Sequence, residues 1–281
     1  MHIFKSTDEI ISGGITPDSL IKDECLKSME LIQSKSVDLI LCDLPYGTLK
    51  CTWDVIIPFD KLWTQYERII KDNGAIVLFG SEPFSSLLRT SNLKLFRYDW
   101  IWDKNKAGNF AQSGYQPMKI HETVSVFYKN KSVYNPQKTQ LDKPQTRHLG
   151  KKSVNRNDRA EAGGISGGIK YSENYEPDKK LPTSILNFAK DNYKSNVHHP
   201  SQKPVSICEY FIKTYTNEGD VVLDNCMGSG TTGIAAKNTN RKFIGIEKDD
   251  KYFETAVKRI NNLQDQLLEK QNSSLSSAVN S

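Results

Sequence analysis

Apolar residues fall along the chain in two rhythms. Short runs dominated by apolar residues, Val37–Cys42, Ala75–Phe79, Tyr98–Trp102 and Thr123–Tyr128, predict strands. Between them apolar positions recur at helical spacing, as Leu62, Tyr66 and Ile69 do within Phe59–Ile70, and Pro83 suits the first turn of a further helix. The alternation returns after residue 196: helix Pro204–Tyr215, strand Val221–Asp224, helix Thr231–Asn238, strand Phe243–Glu247 and helix Tyr252–Asn262. Strands alternating with helices predict an α/β fold, in which crossover helices cover both faces of a sheet. From 129 to 196 the rhythm fades; Asn, Gln, Lys, Gly and Pro dominate, and the run Gly163–Gly168 reads as loop. The expected organisation is therefore one core in two halves, 15–128 and 197–264, interrupted by an insert at 129–196 and followed by a flexible polar tail, 265–281.

Composition narrows the picture. With 281 residues, 37% hydrophobic and 25% charged, the chain suits one large core with an insert and excludes wholesale disorder. The apolar runs are too short to span a bilayer, and the opening MHIFKSTDEI lacks the apolar stretch of a secretory signal, so a cytoplasmic setting is expected. Cys25, Cys42, Cys51, Cys208 and Cys226 are odd in number and form no CxxC pair, which fits reduced thiols. The net charge of +5 is unevenly spread: residues 129–196 hold 14 Lys/Arg against 7 Asp/Glu, and the remainder is slightly acidic. Clustered basic charge is the footprint of a polyanion partner, although a solvated basic loop has the same composition.

Two strand ends carry candidate chemistry. Val221–Gly233 reads as strand, glycine-rich turn and helix, with Gly228, Gly230 and Gly233 spaced as GxGxxG and Glu247 ending the next strand. Glycines let a ligand approach the backbone, the helix start offers free N–H groups, and Glu247 can accept hydrogen bonds from ribose hydroxyls. That pattern fits either a nicotinamide dinucleotide or S-adenosyl-L-methionine; Asp224 before the turn favours the latter, which carries an ammonium and a sulfonium instead of a pyrophosphate. The buried-looking strand Val37–Cys42 runs into Asp43, Leu44, Pro45, Tyr46 and Gly47. A carboxylate with a neighbouring carbonyl can accept both hydrogens of an exocyclic amino group while an aromatic stacks on its ring.

Asp43-Leu44-Pro45-Tyr46 resembles the DPPY motif of amino-methylating DNA methyltransferases, Asp224–Gly230 (DNCMGSG) resembles their cofactor motif, and His199–Pro204 (HPSQKP) resembles their HPTQKP segment. The catalytic motif precedes the cofactor motif with a basic segment between, an order similar to the β class, which includes bacterial, phage and prophage enzymes. The resemblance spans nearly all of 20–262. It implies a Rossmann-like S-adenosyl-L-methionine-dependent methyltransferase sheet with helices on both faces, and makes 129–196 a target-recognition insert. Asp43 and the Leu44 carbonyl would bind the target amino group at the Pro45 turn, with Tyr46 stacking on the flipped base. Asp224, Asn225, Met227, Gly228, Ser229 and Gly230 would line the methionine part of the cofactor, Glu247 its ribose, and His199, Ser201 and Lys203 its carboxylate end. Asp23-Glu24 stands where the family usually has Gly-Asp; Glu24 is taken for the adenine edge, with Asp23 left open. Leu44 replaces the usual first proline but keeps the carbonyl.

The activity implied is transfer of a methyl group to adenine N6 in double-stranded DNA, by in-line attack after base flipping. Cytosine-N4 is the alternative; enzymes of that specificity often carry serine in place of Asp43. An NAD-dependent oxidoreductase would leave Asp43–Tyr46 and His199–Pro204 unexplained, and a silent DNA-binding protein would not need Asp43, Gly228, Gly230 and Glu247 intact. A homodimer and a cognate restriction endonuclease remain open as partners. His198-His199 has no Cys or acid at ligand spacing, so no metal is expected. Cys42 and Cys226 are not taken as nucleophiles. Trp100 and Trp102 read as core, His121-Glu122 as the edge of a strand near the site, and Tyr115, Phe127 and Tyr128 as candidates for a second wall of the base pocket.

Overall fold

Runs that are apolar at nearly every position become strands with both faces covered. Val37–Cys42 forms β3 with only Asp38 partly exposed. Leu39 and Leu41 point to one core cluster, Ile40 and Cys42 to the other. A computed structural model describes residues 1–10, 13–48, 54–142, 176, 178–189 and 202–263. The chain divides into two compact units, Met1–Asn135 with Ser184–Ser281, and Pro136–Thr183.

The first unit is built in chain order from β1 (His2–Phe4), β2 (Ser19–Lys22), α1 (Cys25–Glu30), β3, α2 (Phe59–Ile69), β4 (Ile70–Gly80), α3 (Phe84–Ser91), β5 (Phe96–Asp103) and β6 (His121–Phe127). The second unit holds β7 (Thr139–Gln140) and β8 (Lys179–Lys180), paired antiparallel. The first unit resumes with β9 (Ile185–Asn187), α4 (Val205–Tyr215), β10 (Val221–Asp224), α5 (Thr231–Asn238) and β11 (Lys242–Glu247), and residues 250–263 form α6. Its sheet has nine strands in the order β1-β2-β11-β10-β3-β4-β6-β5-β9. Strands from β1 through β4 pair in parallel; β6 runs antiparallel to both neighbours, and β9 lies parallel to β5. One face packs against α1, α2 and α3, through Met29, Leu62, Tyr66, Phe84 and Leu88. The other packs against α4, α5 and α6, through Ile207, Phe211, Ala235, Ala236, Phe253 and Ala256. Among the described residues no helix is long and apolar enough to cross a membrane.

Trp100 and Trp102 are core residues at 4% and 0% exposure, and their indole N–H groups donate to the Tyr215 hydroxyl and the Phe188 carbonyl. Other features departed from the pattern. The sheet starts at residue 2, because β1 and β2 are too short to show a period. Within the span expected to be an irregular insert, Ile185–Asn187 adds an edge strand and 129–135 belongs to the first unit. Most of that insert (143–175, 177 and 190–196) and the tail lie outside the described residues.

The close approach of β11 to its neighbours depends on Gly245. A Cβ there would sit 2.6 Å from Phe243 Cε1, 3.0 Å from Leu20 Cδ2, and against Met227 Sδ. Gly245→Ala is expected to lower stability by about 1–3 kcal/mol, read as a reduced midpoint in urea at unchanged slope.

Candidate active site

β3 and β10 are neighbours, yet the chain leaves them in opposite directions, β3 toward β4 and β10 toward β11. That is a topological switch point, where loops diverge and a crevice opens beyond the carboxyl ends of the strands. Asp224 is the last residue of β10 and Asp43 directly follows β3. Both line one continuous cleft, together with Glu24, Tyr46, Gly228 and Glu247.

At the Asp43 end the side chains are tightly paired. Tyr46 donates its hydroxyl to Asp43 Oδ1 at 2.5 Å. The Lys203 ammonium donates to Asp43 Oδ2 and stands 3.4 Å from Glu122 Oε2. Lys104 binds the other Glu122 oxygen at 3.2 Å. Carboxylates and ammoniums thus alternate from Asp43 through Lys203 and Glu122 to Lys104. Burial pulls the Lys203 pKa down, but the charges of Asp43 and Glu122 outweigh it and hold the ammonium protonated, above its ordinary value. Lys203 also lies 5.8 Å from the Tyr46 ring centroid and 5.3 Å from that of Phe79, while the Tyr46 ring stacks on Phe84 at 4.8 Å. Lys203 therefore lines the cleft, but its charge sits with Asp43. His199 and Ser201 lie outside the described residues.

The turn after Asp43 is held from below by Asp54, which is 6% exposed. Its Oδ1 accepts the backbone N–H groups of Tyr46 (2.7 Å) and Gly47 (3.0 Å), and its Oδ2 accepts that of Thr48 (2.7 Å). Leu44, 4% exposed, anchors the same turn in the hydrophobic core. Core anchoring and three hydrogen bonds to one carboxylate stiffen the turn.

At the other end, Gly228 and Gly230 take positive φ angles of 51° and 80°, which glycine adopts without strain. The Gly228 N–H donates to Glu247 Oε2, and the Asp249 N–H to Oε1, each at 2.8 Å. Burial raises the Glu247 carboxyl above its ordinary value. Burial likewise raises Asp224 to about 6. Ser229 donates to Gln202 Oε1 and accepts from Arg259, which ties the turn to the HPSQKP segment and to α6. Two of the expected cofactor residues do other work with their side chains. Asn225 accepts the Tyr66 hydroxyl at 2.6 Å, and Met227 is packed in the core, so each offers the cleft mainly backbone. Gly233 is a packing glycine: a Cβ there would meet Ile260 and Phe243. Asp23 is engaged by Thr7, the Glu24 N–H and Lys27. Burial works against it, but these bonds hold its carboxyl well below the ordinary range. Glu24 caps α1 through Oε2, and its Oε1 accepts from the Cys25 thiol at 3.5 Å.

Of the candidate second walls, Phe127 is fully buried in the core. Because β6 is antiparallel, Phe127 and Tyr128 lie at the end of the sheet away from Asp43, whereas His121 and Glu122 lie at the near end. Tyr115 is 76% exposed and does not line the cleft. Burial pushes the Cys42 thiol up to about 12, so it is not a thiolate near neutrality. Among the described residues no group of three or more His, Cys, Asp or Glu converges as a metal site would require. The sequence reading missed Asp54, Gln202 and Thr231 and undervalued Glu122. The Thr231 hydroxyl is buried at the start of α5, lines the cleft, and has no hydrogen-bond partner among the described residues. An orphan hydroxyl, a buried acid at Asp224 and a second acid at Glu247 fit a nucleoside ligand with a cationic end.

The family model described as DNA methylase, N6_N4_Mtase, matches residues 37–258. The type II methyltransferase M1.MboII of Moraxella bovis is 28% identical over 260 residues, covering 85% of this chain and 95% of that one. The crystal structure of the M1.HpyAVI–SAM complex aligns with a TM-score of 0.55 at 24% identity, covering 86% of this chain and 98% of that one. The PvuII DNA methyltransferase, described as cytosine-N4-specific, aligns with a TM-score of 0.59 at 16% identity, covering 95% and 94%. These structural likenesses show a shared Rossmann-like α/β fold with helices on both faces.

The clamp under the Asp43 turn is directly testable. Asp54→Ala leaves three backbone N–H groups without their acceptor and is expected to cost about 1–3 kcal/mol, with faster amide exchange at Tyr46, Gly47 and Thr48. Asp54→Asn keeps one acceptor oxygen and is expected to lose less.

Proposed function

The chain belongs to the N6/N4 DNA methylase family, and on that premise we propose that it transfers a methyl group from S-adenosyl-L-methionine to N6 of adenine in double-stranded DNA, in the cytoplasmic setting of a type II restriction–modification or phage enzyme. The observation that carries this reading is Asp43: a carboxylate fixed by Tyr46 and Lys203 at the same switch-point cleft as Asp224 and Glu247. Aspartate, where cytosine-N4 enzymes often have serine, supports adenine.

Asp224 holds the cationic methionine end of the cofactor, Glu247 accepts its ribose hydroxyls, Thr231 gains a partner, and Glu24 faces its adenine edge. The backbones of Asn225, Met227, Gly228, Ser229 and Gly230 shape the wall between them, and Gln202, tied to Ser229, borders it. Bound there, S-adenosyl-L-methionine supplies an electrophilic methyl group. The chain's part is positioning and electrostatics. Asp43 and the Leu44 carbonyl accept the two amino hydrogens of the flipped base, which draws its nitrogen lone pair out of conjugation and aims it at the methyl. Asp43 is also the acceptor within reach for the proton that the nitrogen sheds as the new N–C bond forms and the methyl's bond to sulfur breaks, with S-adenosylhomocysteine, a neutral thioether, as the leaving group. Tyr46 stacks on the base and orients Asp43 through its hydroxyl. The Lys203 ammonium pairs with Asp43 Oδ2. In the free protein it holds the donor position that the amino group takes over, and Glu122 stands ready to receive it.

Expression in a host without its own DNA methylation, followed by sequencing that reports modified bases, tests the reading. N6-methyladenine in one sequence motif is expected; N4-methylcytosine would correct the substrate, and unmodified DNA would overturn the proposal. Asp43→Ala is expected to abolish transfer while S-adenosyl-L-methionine still binds by calorimetry. Loss of binding with turnover intact would reverse the roles.

Acidity supplies a further test. Asp224 in the free protein is protonated below about 6 and then offers no charge to an ammonium. Cofactor affinity is therefore expected to fall by up to about tenfold per pH unit below that point, and to be flat above it. The same raised pKa means that Asp224 favours the folded state at low pH and loses that contribution as pH rises from the ordinary carboxylate range through about 6.

A further inference from the structure

Residues 104–120, between β5 and β6, present the two most exposed large apolar side chains among the described residues, Phe110 at 80% and Tyr115 at 76%, with Met118 and Ile120 also exposed. The loop that carries them is well bonded. Its neck is closed by Lys104 N–H to the Ile120 carbonyl and Gly108 N–H to the Lys119 carbonyl, both 2.9 Å. Asn109, at a left-handed φ of 51°, accepts the Lys119 N–H through its side chain at 2.7 Å and opens a 3-10 turn over Phe110–Gln112. The Tyr115 and Gln116 N–H groups donate to the Gln112 carbonyl at 3.1 Å. Lys119 also reaches the Ser81 hydroxyl, just past β4. A loop so braced holds its aromatics in water by construction.

Its position and charge indicate what covers them. β5 ends and β6 begins at the same end of the sheet as Asp43 and Asp224, and Lys104 at the neck shares Glu122 with Lys203. From Lys104 to Ile120 there are three lysines, several Asn and Gln side chains, and no Asp or Glu. Aromatic faces amid positive charge and amide groups complement a polyanion with stacked rings.

We propose that this loop is a DNA wedge: Phe110 and Tyr115 stack on bases of the duplex beside the target, and Lys106 and Lys119 hold the adjoining phosphates. The inference rests on the methylase reading and adds to it a surface outside the insert. Stacking there compensates the duplex for the base that leaves it, so the wedge matters most when the target is paired.

The test compares the full chain with Phe110→Ala/Tyr115→Ala on a duplex containing the sequence motif found modified, fully paired or with the target base mispaired. Both positions are solvent-exposed, and S-adenosyl-L-methionine affinity within about twofold of wild type confirms an intact site. Alanine at both positions is expected to lower affinity and kcat/KM on the paired duplex by about tenfold or more, and by much less on the mispaired one, whose target base is already loosened. Phe110→Tyr/Tyr115→Phe keeps two rings and is expected to behave as wild type. Equal losses on the two duplexes, or none on either, would overturn the wedge while leaving the methylase reading intact. Wild-type protein that binds S-adenosyl-L-methionine but neither binds nor modifies DNA would overturn both.

Discussion

The site depends on the pairing of β3 with β10. Val222 lies against Leu39 and Leu223 against Ile40, so the two strands finish close together, each with an acid at its end. A buried carboxylate needs a counter-charge or a proton. Burial raises Asp224, 4% exposed, to about 6, whereas Asp43 is only partly buried and pairs with Lys203 and Tyr46. One end of the cleft is thus built on an ion pair and the other on a desolvated acid.

The support around Asp43 shows how a turn without proline at position 44 is held. A proline would restrict it covalently. Leu44 instead fills a core position, while Asp54 gathers three consecutive N–H groups beneath the turn. Rigidity there comes from a buried side chain and a carboxylate, and the turn and its clamp work as one unit.

The central strands, the helices after Pro58 and Pro204, and the strand–turn–helix at Asp224 were legible because each has a strong local period or stop signal. Asp43, Tyr46, Gly228 and Glu247 were legible as residues of one cleft because they stand at or just beyond strand ends. What escaped was non-local. The antiparallel direction of β6 is set by partners on both sides, and it decides that Glu122 faces the site while Phe127 and Tyr128 do not. Lys203 reads from its motif as a cofactor residue, yet its ammonium lies on Asp43, 160 residues away in the chain. Gly233 sits inside a ligand-like pattern and serves packing, because a glycine-rich turn must also let α5 and α6 approach β11, and the Asn225 side chain is taken up by the Tyr66 hydroxyl.

The reversal of β6 also changes the kind of connection the sheet permits. Parallel neighbours must be joined by a crossover that spans the sheet and packs a helix on its face. β5 and β6 are joined by a hairpin loop that starts and finishes at the same end of the sheet. Lengthening such a loop costs only chain-closure entropy, about 0.6 kcal/mol for each doubling, and disturbs no buried layer. This places, at the rim of a cleft whose walls are fixed by close packing, a stretch of chain free to drift in length and composition, so that contacts with a large substrate can be rewritten while the chemistry beneath them stays constant.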